Sequence, residues 1–220
     1  MYAKKEIMCK FEKINCTIIS STDMKPGTYI LCTLAAAVLA SCSGRSGWTA
    51  EEQAVIGAGD GVMRVLTIDD KEDSLFLRTP CRDLSQDEIF SAEYVVLSAR
   101  MLATVTSPEQ DGVGIAAPQV GIGRRIAAIQ RFDKDGEPFE VYPNIRVTAK
   151  RGEPESGPEG CLSVPGRRGN VLRWQDIDIS YSSTATGRDT TETVRGFTAV
   201  IFQHETDHLD GVLYIDKLVP

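Results

Sequence analysis

The chain has 220 residues, of which 42% are hydrophobic and 25% are charged. These proportions are typical of a globular protein, and they exclude a wholly disordered chain, a collagen-like repeat and a polytopic membrane protein. The formal net charge is −7, and because an acidic surface repels phosphate, we expect no nucleic-acid partner.

The N-terminal segment has the pattern of an export signal. A basic start at Met24 and Lys25 precedes an apolar run over residues 28–40, which is too short to span a bilayer because a spanning helix takes about 20 residues. The run ends in Leu-Ala-Ser-Cys, which resembles the cleavage box of bacterial lipoproteins. We therefore predict a leader over residues 1–42, lipidation of Cys42 and anchoring in the cell envelope. The alternative is a cytoplasmic protein in which this run is a short buried helix.

The next segment, residues 43–61, is rich in Gly and Ser and lacks hydrophobic periodicity. This composition predicts a flexible tether, so we place the start of the folded domain at Val62 and its end at Pro220.

The domain itself has mixed secondary-structure signals. Residues 62–68 alternate weakly and predict a strand. Ser85 and Glu88 form a capping-box pattern, which predicts a helix whose apolar face carries Phe90, Tyr94, Leu97 and Met101. Further strands are predicted over residues 126–130 and 139–147, with a hairpin turn at 135–136, and over residues 174–181 and 190–195. A last helix is predicted over residues 197–209, ended by Gly211. No βαβ rhythm is present, so the fold class is α+β.

Both histidines of the chain lie in the last predicted helix, in the segment Gln-His-Glu-Thr-Asp-His at 203–208. His204 and His208 are four residues apart and therefore share one helix face, where two imidazoles can hold one metal ion. The intervening Glu205 can reach a water molecule on that ion. The alternative, two ordinary histidines on an amphipathic helix, would be a coincidence in a chain with no other His.

A catalytic metal needs a third protein ligand, and the downstream position that supplies it in some zinc peptidases holds Tyr214. The candidates are therefore Asp210, Asp216 or an upstream residue, of which Cys161 in Glu-Gly-Cys-Leu-Ser is the best. A thiolate and two imidazoles suit Zn²⁺ or Fe²⁺. By itself, Cys161 could equally be a buried thiol.

A third cluster, Gly-Val-Gly-Ile-Ala-Ala-Pro-Gln at residues 112–119, is rich in small residues. Small residues let the backbone approach a ligand or another element closely. Taken alone, the cluster fits a ligand-binding loop or a plain turn into a strand, and it lacks the Lys-Ser/Thr ending of a phosphate loop.

Together and in this order, the three clusters resemble the signature motifs of the peptide deformylases, and the resemblance covers residues 62–220. It implies an α+β fold in which antiparallel sheets surround the metal-bearing helix. It also implies removal of the formyl group from N-formylmethionyl peptides and nascent chains, by attack of a metal-held hydroxide on the formyl carbon. The implied cofactor is one divalent ion, most often Fe²⁺, with Zn²⁺, Ni²⁺ or Co²⁺ as substitutes. We expect a monomer.

The resemblance also assigns roles to residues. Three residues would be the metal ligands: Cys161, His204 and His208. Glu205 would be the general acid and base, and Gln119 and the backbone amide of Leu162 would stabilise the developing oxyanion.

Other residues would contact the substrate or support the site. Those matching the substrate-binding positions are Val113, Gly114, Phe197, Ile201 and Arg168. Glu159 and Arg168 also fall where the family has a supporting ion pair. Two other functions stay open at this point, a zincin-like metalloendopeptidase and an inert envelope lipoprotein that acts as a binding module.

Overall fold

The computed structural model describes residues 47–59 and 61–220. The predicted leader, residues 1–42, and its Cys42 lie outside the described residues. In the described part the chain forms five α-helices: α1 (Ala50–Gly57), α2 (Lys71–Leu77), α3 (Gln86–Ile89), α4 (Ala92–Val105) and α5 (Gly196–Leu209). Two short 3₁₀ helices occur at Ala117–Val120 and Tyr214–Asp216. None of the helices described here has the length and apolar character that crossing a membrane requires.

Nine strands lie in the same part of the chain and form three antiparallel sheets of three strands each. The first sheet contains β1 (Gly114–Ala116), β2 (Ile126–Gln130) and β3 (Phe139–Pro143). The second contains β4 (Arg146–Arg151), β7 (Asp176–Ser182) and β8 (Asp189–Arg195). The third contains β5 (Glu155–Cys161), β6 (Val164–Arg173) and β9 (Leu218–Val219). The predicted α+β class is confirmed.

Helix α5 packs against strands of the first two sheets. Its buried residues Ala199, Phe202 and Leu209 pack in one cluster with Ile129 of β2 and Ile177 of β7. The helix ends at Leu209, which is the residue at which the sequence predicted its end.

Gly211, just past the end of α5, has a φ of +74°, and a Cβ there would lie 2.5 Å from the backbone oxygen of Arg78. Only glycine therefore fits at this position after the C-terminus of the helix.

The helix predicted after the capping box of Ser85 is in fact two helices. The box is present, since the Ser85 side chain accepts from Glu88 N–H and the Glu88 side chain accepts from Ser85 N–H. The helix that it opens, α3, stops before Phe90, and the Ser91 side chain caps the new helix α4. Phe90 is consequently 52% exposed and does not share the buried face of α4.

Two strand predictions were wrong. Residues 62–68 form no strand, because their amides bond to other groups, as Met63 N–H does to Thr104 Oγ1. The strand predicted over residues 139–147 is broken after Pro143, where Asn144 adopts a φ of +57° and sends the chain into the second sheet. Residues 71–77 form helix α2, which the alternation pattern did not indicate.

The flexible tether predicted for residues 43–61 is wrong for residues 48–57. Thr49 opens α1 with a full capping box, and Trp48 and Ile56 are buried in the core. Glu52 forms a 2.6 Å ion pair with Arg124, a fully buried residue whose guanidinium also lies over the Trp48 ring. The glycines of this segment suggested a flexible tether. Tertiary contacts nevertheless stabilise a short helix there, although its sequence has no hydrophobic periodicity.

Candidate metal centre and active-site cleft

Helix α5 and the end of strand β5 bring a sulfur and two imidazoles together. The rings of His204 and His208 have centroids 5.0 Å apart on one face of α5. The Sγ atom of Cys161 lies 3.2 Å from Nε2 of His208. One ligand atom from each of the three residues lies within 4.8 Å of the others. This donor set fits one divalent cation of intermediate softness, because thiolate and imidazole are the ligands that such ions prefer.

The other candidates for the third ligand are engaged elsewhere. Asp210 forms a 2.6 Å ion pair with Arg125, and Asp216 forms an ion pair with Arg78. Tyr214 stacks on His204 with ring centroids 6.1 Å apart. The sequence alternatives for this ligand are therefore wrong, and the upstream cysteine is the residue that converges on the histidines.

A buried carboxylate orients His204. Glu159 Oε2 lies 2.7 Å from His204 Nδ1, and Glu159 is itself paired with Arg173 at 2.7 Å. Such a contact fixes the orientation of the ring and leaves Nε2 for a metal.

The ion pair predicted between Glu159 and Arg168 is wrong. Successive residues of a strand point to opposite faces, and Arg168 lies opposite Gly160 in the β5–β6 register, whereas Arg173 lies opposite Glu155. Glu155 and Glu159 share a face, so Arg173 is the residue that can reach Glu159.

Two polar residues of α5, next to the two histidines, attach the helix to neighbouring elements, and sequence reasoning gave them no role. Gln203 bonds both backbone groups of Trp174, accepting from N–H at 3.1 Å and donating to C=O at 2.7 Å. Asp207 pairs with Arg173 and Lys217, both at 2.6 Å. Gln203 directly precedes His204 and Asp207 directly precedes His208, so the available signal was a polar side chain next to each histidine.

Glu205 is the one acidic residue of the helix that faces the cleft floor. It is 3% exposed, and its Oε2 atom has no hydrogen-bond partner in the described residues. Burial raises the pKa of Glu205 to about 7. A larger residue opposite it would displace the carboxylate, because a Cβ on Gly114 would lie 2.4 Å from Glu205 Oε1. A free carboxylate oxygen with such a pKa can both accept and release a proton near neutral pH.

The side-chain amide of Gln119 is aimed at the same place. Its Oε1 accepts from the backbone N–H of Ala116 at 2.8 Å, which turns Nε2 toward Cys161 Sγ at 3.6 Å and Ser163 Oγ at 3.2 Å. Leu162 is half-buried and follows Cys161 at the turn into β6. Gln119 and Leu162 thus lie beside Cys161, and their role as oxyanion donors stays a prediction.

A cleft of about 740 Å³ opens over this centre. All the predicted substrate-binding residues line it: Val113, Gly114, Phe197, Ile201 and Arg168. Ile201 is buried, and Phe197 is 55% exposed and touches Phe132 with ring centroids 5.4 Å apart. Sequence reasoning did not find Asp111 and Arg167, which also line the cleft. The cleft thus joins an apolar recess to Cys161, His204 and Glu205.

Comparison with known proteins agrees with this geometry. The sequence model of the polypeptide deformylase family matches residues 62–220. A peptide deformylase of Symbiobacterium thermophilum is 40% identical over 114 residues, which make up 52% of this chain and 51% of that protein. One of Leptospira biflexa is 34% identical over 150 residues, 64% of this chain and 82% of that protein. The chain thus spans about half the length of the first relative and most of the second.

Solved structures give the same result. The peptide deformylase of Acinetobacter baumannii with Met-Ala-Ser bound has a TM-score of 0.64 at 31% identity, over 73% of this chain and 100% of that one. The peptide deformylase of Thermotoga maritima has a TM-score of 0.62 at 32% identity, over 72% and 99%. In agreement with the resemblance of its three motifs, the chain belongs to the polypeptide deformylase family.

Proposed function

We propose that this protein hydrolyses the formyl–nitrogen bond of N-formylmethionyl peptides with Glu205 as its general acid and base. The observation that carries the proposal is a free, buried carboxylate oxygen on Glu205, which lines a peptide-sized cleft together with Cys161 and His204, two of the three converging donors. The Met-Ala-Ser tripeptide bound by the Acinetobacter baumannii relative has the form of a product of such a reaction.

Cys161, His204 and His208 would hold the cation, for which we propose Fe²⁺, with Zn²⁺, Ni²⁺ or Co²⁺ able to substitute. A divalent cation at these ligands supplies Lewis acidity, which lowers the pKa of water toward about 7 and polarises a carbonyl. Burial lowers the pKa of His208, which keeps its imidazole neutral and available as a ligand.

The remaining chemistry comes from side chains of the cleft. Glu205 accepts a proton from the attacking water and donates it to the leaving amine, so one carboxylate serves both halves of the reaction. Negative charge grows on the formyl oxygen, and the Gln119 amide and the Leu162 N–H are the proposed donors to it. Loss of one such donor typically lowers the rate about 10²- to 10³-fold.

The apolar recess selects the first residue of the substrate. Val113, Phe197 and Ile201 line the cleft beside Glu205, and a flexible, unbranched methionine side chain fills such an irregular apolar space well. The exposed edge of Phe197 gains burial when the recess is filled.

We also propose that the leader anchors the enzyme in the bacterial cell envelope through Cys42, which would make exported formyl peptides its substrates. Trp48 is already part of the folded core, so only residues 43–47 would separate the anchor from the domain. Cell fractionation with metabolic lipid labelling tests this. Soluble, unlabelled protein would instead indicate a cytoplasmic enzyme acting on nascent chains.

One assay separates the activity from its alternatives. Protein loaded anaerobically with Fe²⁺ is incubated with formyl-Met-Ala-amide, with Met-Ala-amide and with casein. We expect formate from the first substrate only, and a Glu205→Gln variant that keeps the metal but loses activity. Cleavage of casein would indicate an endopeptidase, and metal binding without any hydrolysis would indicate a binding module.

A further inference from the structure

One wall of the cleft carries two positive charges with no counter-ion. Arg167 and Arg168 line the cleft and are exposed, and neither forms an ion pair with a residue in 47–59 or 61–220. Other arginines near the site are neutralised, as Arg173 is by Glu159 and Asp207. The protein has a net charge of −7, so two neighbouring arginines without a carboxylate partner in the described part of the chain form a local positive patch at the cleft.

The backbone places these arginines at the cleft by a bulge in β6. Gly160 lies opposite Arg168 and Cys161 lies opposite Val164, so residues 165–167 have no partner on β5. Gly166 supplies the positive φ of +70° that the bulge needs. Bulges beside active sites redirect side chains, and this one begins directly after the strand pair that positions the Cys161 ligand.

A buried tyrosine holds the bulge in place. Tyr214, which is 1% exposed, donates its hydroxyl to the backbone oxygen of Arg167 at 2.8 Å. Because Tyr214 also stacks on His204, the bulge is fixed relative to the metal ligands. The two guanidinium groups are therefore attached to a defined backbone at the cleft rim rather than to a free loop.

The other charges of the cleft do not cancel this wall. Glu159 is already bound to Arg173 and His204, and Glu205 is buried on the floor of the cleft. Asp111 is exposed and lines the cleft, but it forms no ion pair with either arginine. A peptide in the cleft would thus pass a wall that offers two guanidinium groups, which suit carboxylates.

Resting on the proposed function, we infer that Arg167 and Arg168 give the enzyme a preference for formylmethionyl peptides that carry an acidic side chain within the two residues after Met. Exposed ion pairs are weak, and each such contact corresponds to a factor of about 1.4 to 5 in binding affinity. We expect the two arginines together to favour Glu over Lys by about three- to tenfold in kcat/KM. Because the groups are exposed, salt should weaken the preference.

The test uses metal-loaded, full-length protein and two peptide series, formyl-Met-X-Ala-amide and formyl-Met-Ala-X-amide, with Glu, Gln or Lys at X. The amide at the C-terminus removes the terminal carboxylate, which could otherwise occupy the same wall. The variants are Arg167→Gln, Arg168→Gln and their combination. The matched control is Arg188→Gln, which removes the same charge from an exposed position that does not line the cleft.

We expect kcat/KM to fall in the order Glu, Gln, Lys in at least one series, and 0.5 M NaCl to flatten that order. The double variant should abolish the preference, and the Arg188 control should retain it. Equal kcat/KM for Glu and Lys in the parent enzyme would overturn the inference, as would a preference that survives in the double variant. Cleavage of none of the formyl peptides would instead refute the proposed function.

Discussion

Replacing Gly114 by alanine tests how closely Glu205 must be placed. The added Cβ would lie 2.4 Å from Glu205 Oε1 and 2.9 Å from Ile201 Cγ2, whereas ordinary contacts begin at 3.4 Å. The carboxylate must therefore move by about 1 Å. The moving atom is the end of a side chain, so we expect a modest overpacking cost of roughly 1–3 kcal/mol in the free energy of unfolding. A displacement of this size at the reacting groups costs about 10²-fold in rate.

The assay measures kcat and KM for formyl-Met-Ala-amide, bound metal per mole of protein and the unfolding temperature. We expect kcat to fall about 100-fold while the metal content stays at the parent level. Gly157→Ala is the matched control, because a Cβ there meets no atom within 4 Å. If Gly114→Ala keeps the parent kcat at full metal occupancy, Glu205 is not acting from the observed position, and if activity falls only because metal is lost, the reasoning is equally refuted.

Four other predictions follow from the same structure. Cys161→Ala should lose the metal, measured by elemental analysis, whereas Cys81→Ala should keep it, because Cys81 packs in a core cluster and is not one of the three converging donors. Glu159→Gln should weaken metal affinity about 10- to 100-fold in a chelator competition, since the carboxylate orients a ligand imidazole. Trp48→Ala should lower the free energy of unfolding by about 3–5 kcal/mol in a urea titration, and no change would mean that α1 is not part of the core. For Glu52, burial raises the pKa, but hydrogen bonds from a buried guanidinium and from a backbone amide lower it below its ordinary value overall. Its contribution to stability is therefore present at neutral pH and lost as pH falls below about 4.3, so the stability difference between the parent and Glu52→Gln should shrink in acid.

Two of the three converging donor residues could be predicted from the sequence because their signal is chemical and local. His204 and His208 are the only histidines of the chain and stand at helical spacing, so one helix suffices to place both. Cys161 needed the family resemblance, since no local rule says that the end of β5 meets α5. The partner of Glu159 was missed for the same reason, because which arginine shares its face depends on the β5–β6 register.

The N-terminal boundary of the folded domain could not be predicted from local sequence signals. Residues 48–57 make three tertiary contacts, namely the burial of Trp48, the ion pair of Glu52 and the burial of Ile56. None of these leaves a period in the sequence, while the neighbouring glycines are visible at once. Composition therefore predicted a tether where the fold has a helix.

Helix α5 explains why the site and the fold are specified together. Within Gln-His-Glu-Thr-Asp-His, Gln203 binds the backbone of Trp174, next to the second sheet, and Asp207 binds Arg173 of the third sheet. The histidines between and beside them face Cys161 of the third sheet, and Glu205 meets Gly114 of the first. Each sheet, or the residue next to it, thus contributes at least one constraint on the orientation of the same two turns of helix. A rotation of α5 that relieved one contact would break the others, so the residues that stabilise the packing of the helix are also the ones that fix the donor atoms around a common point.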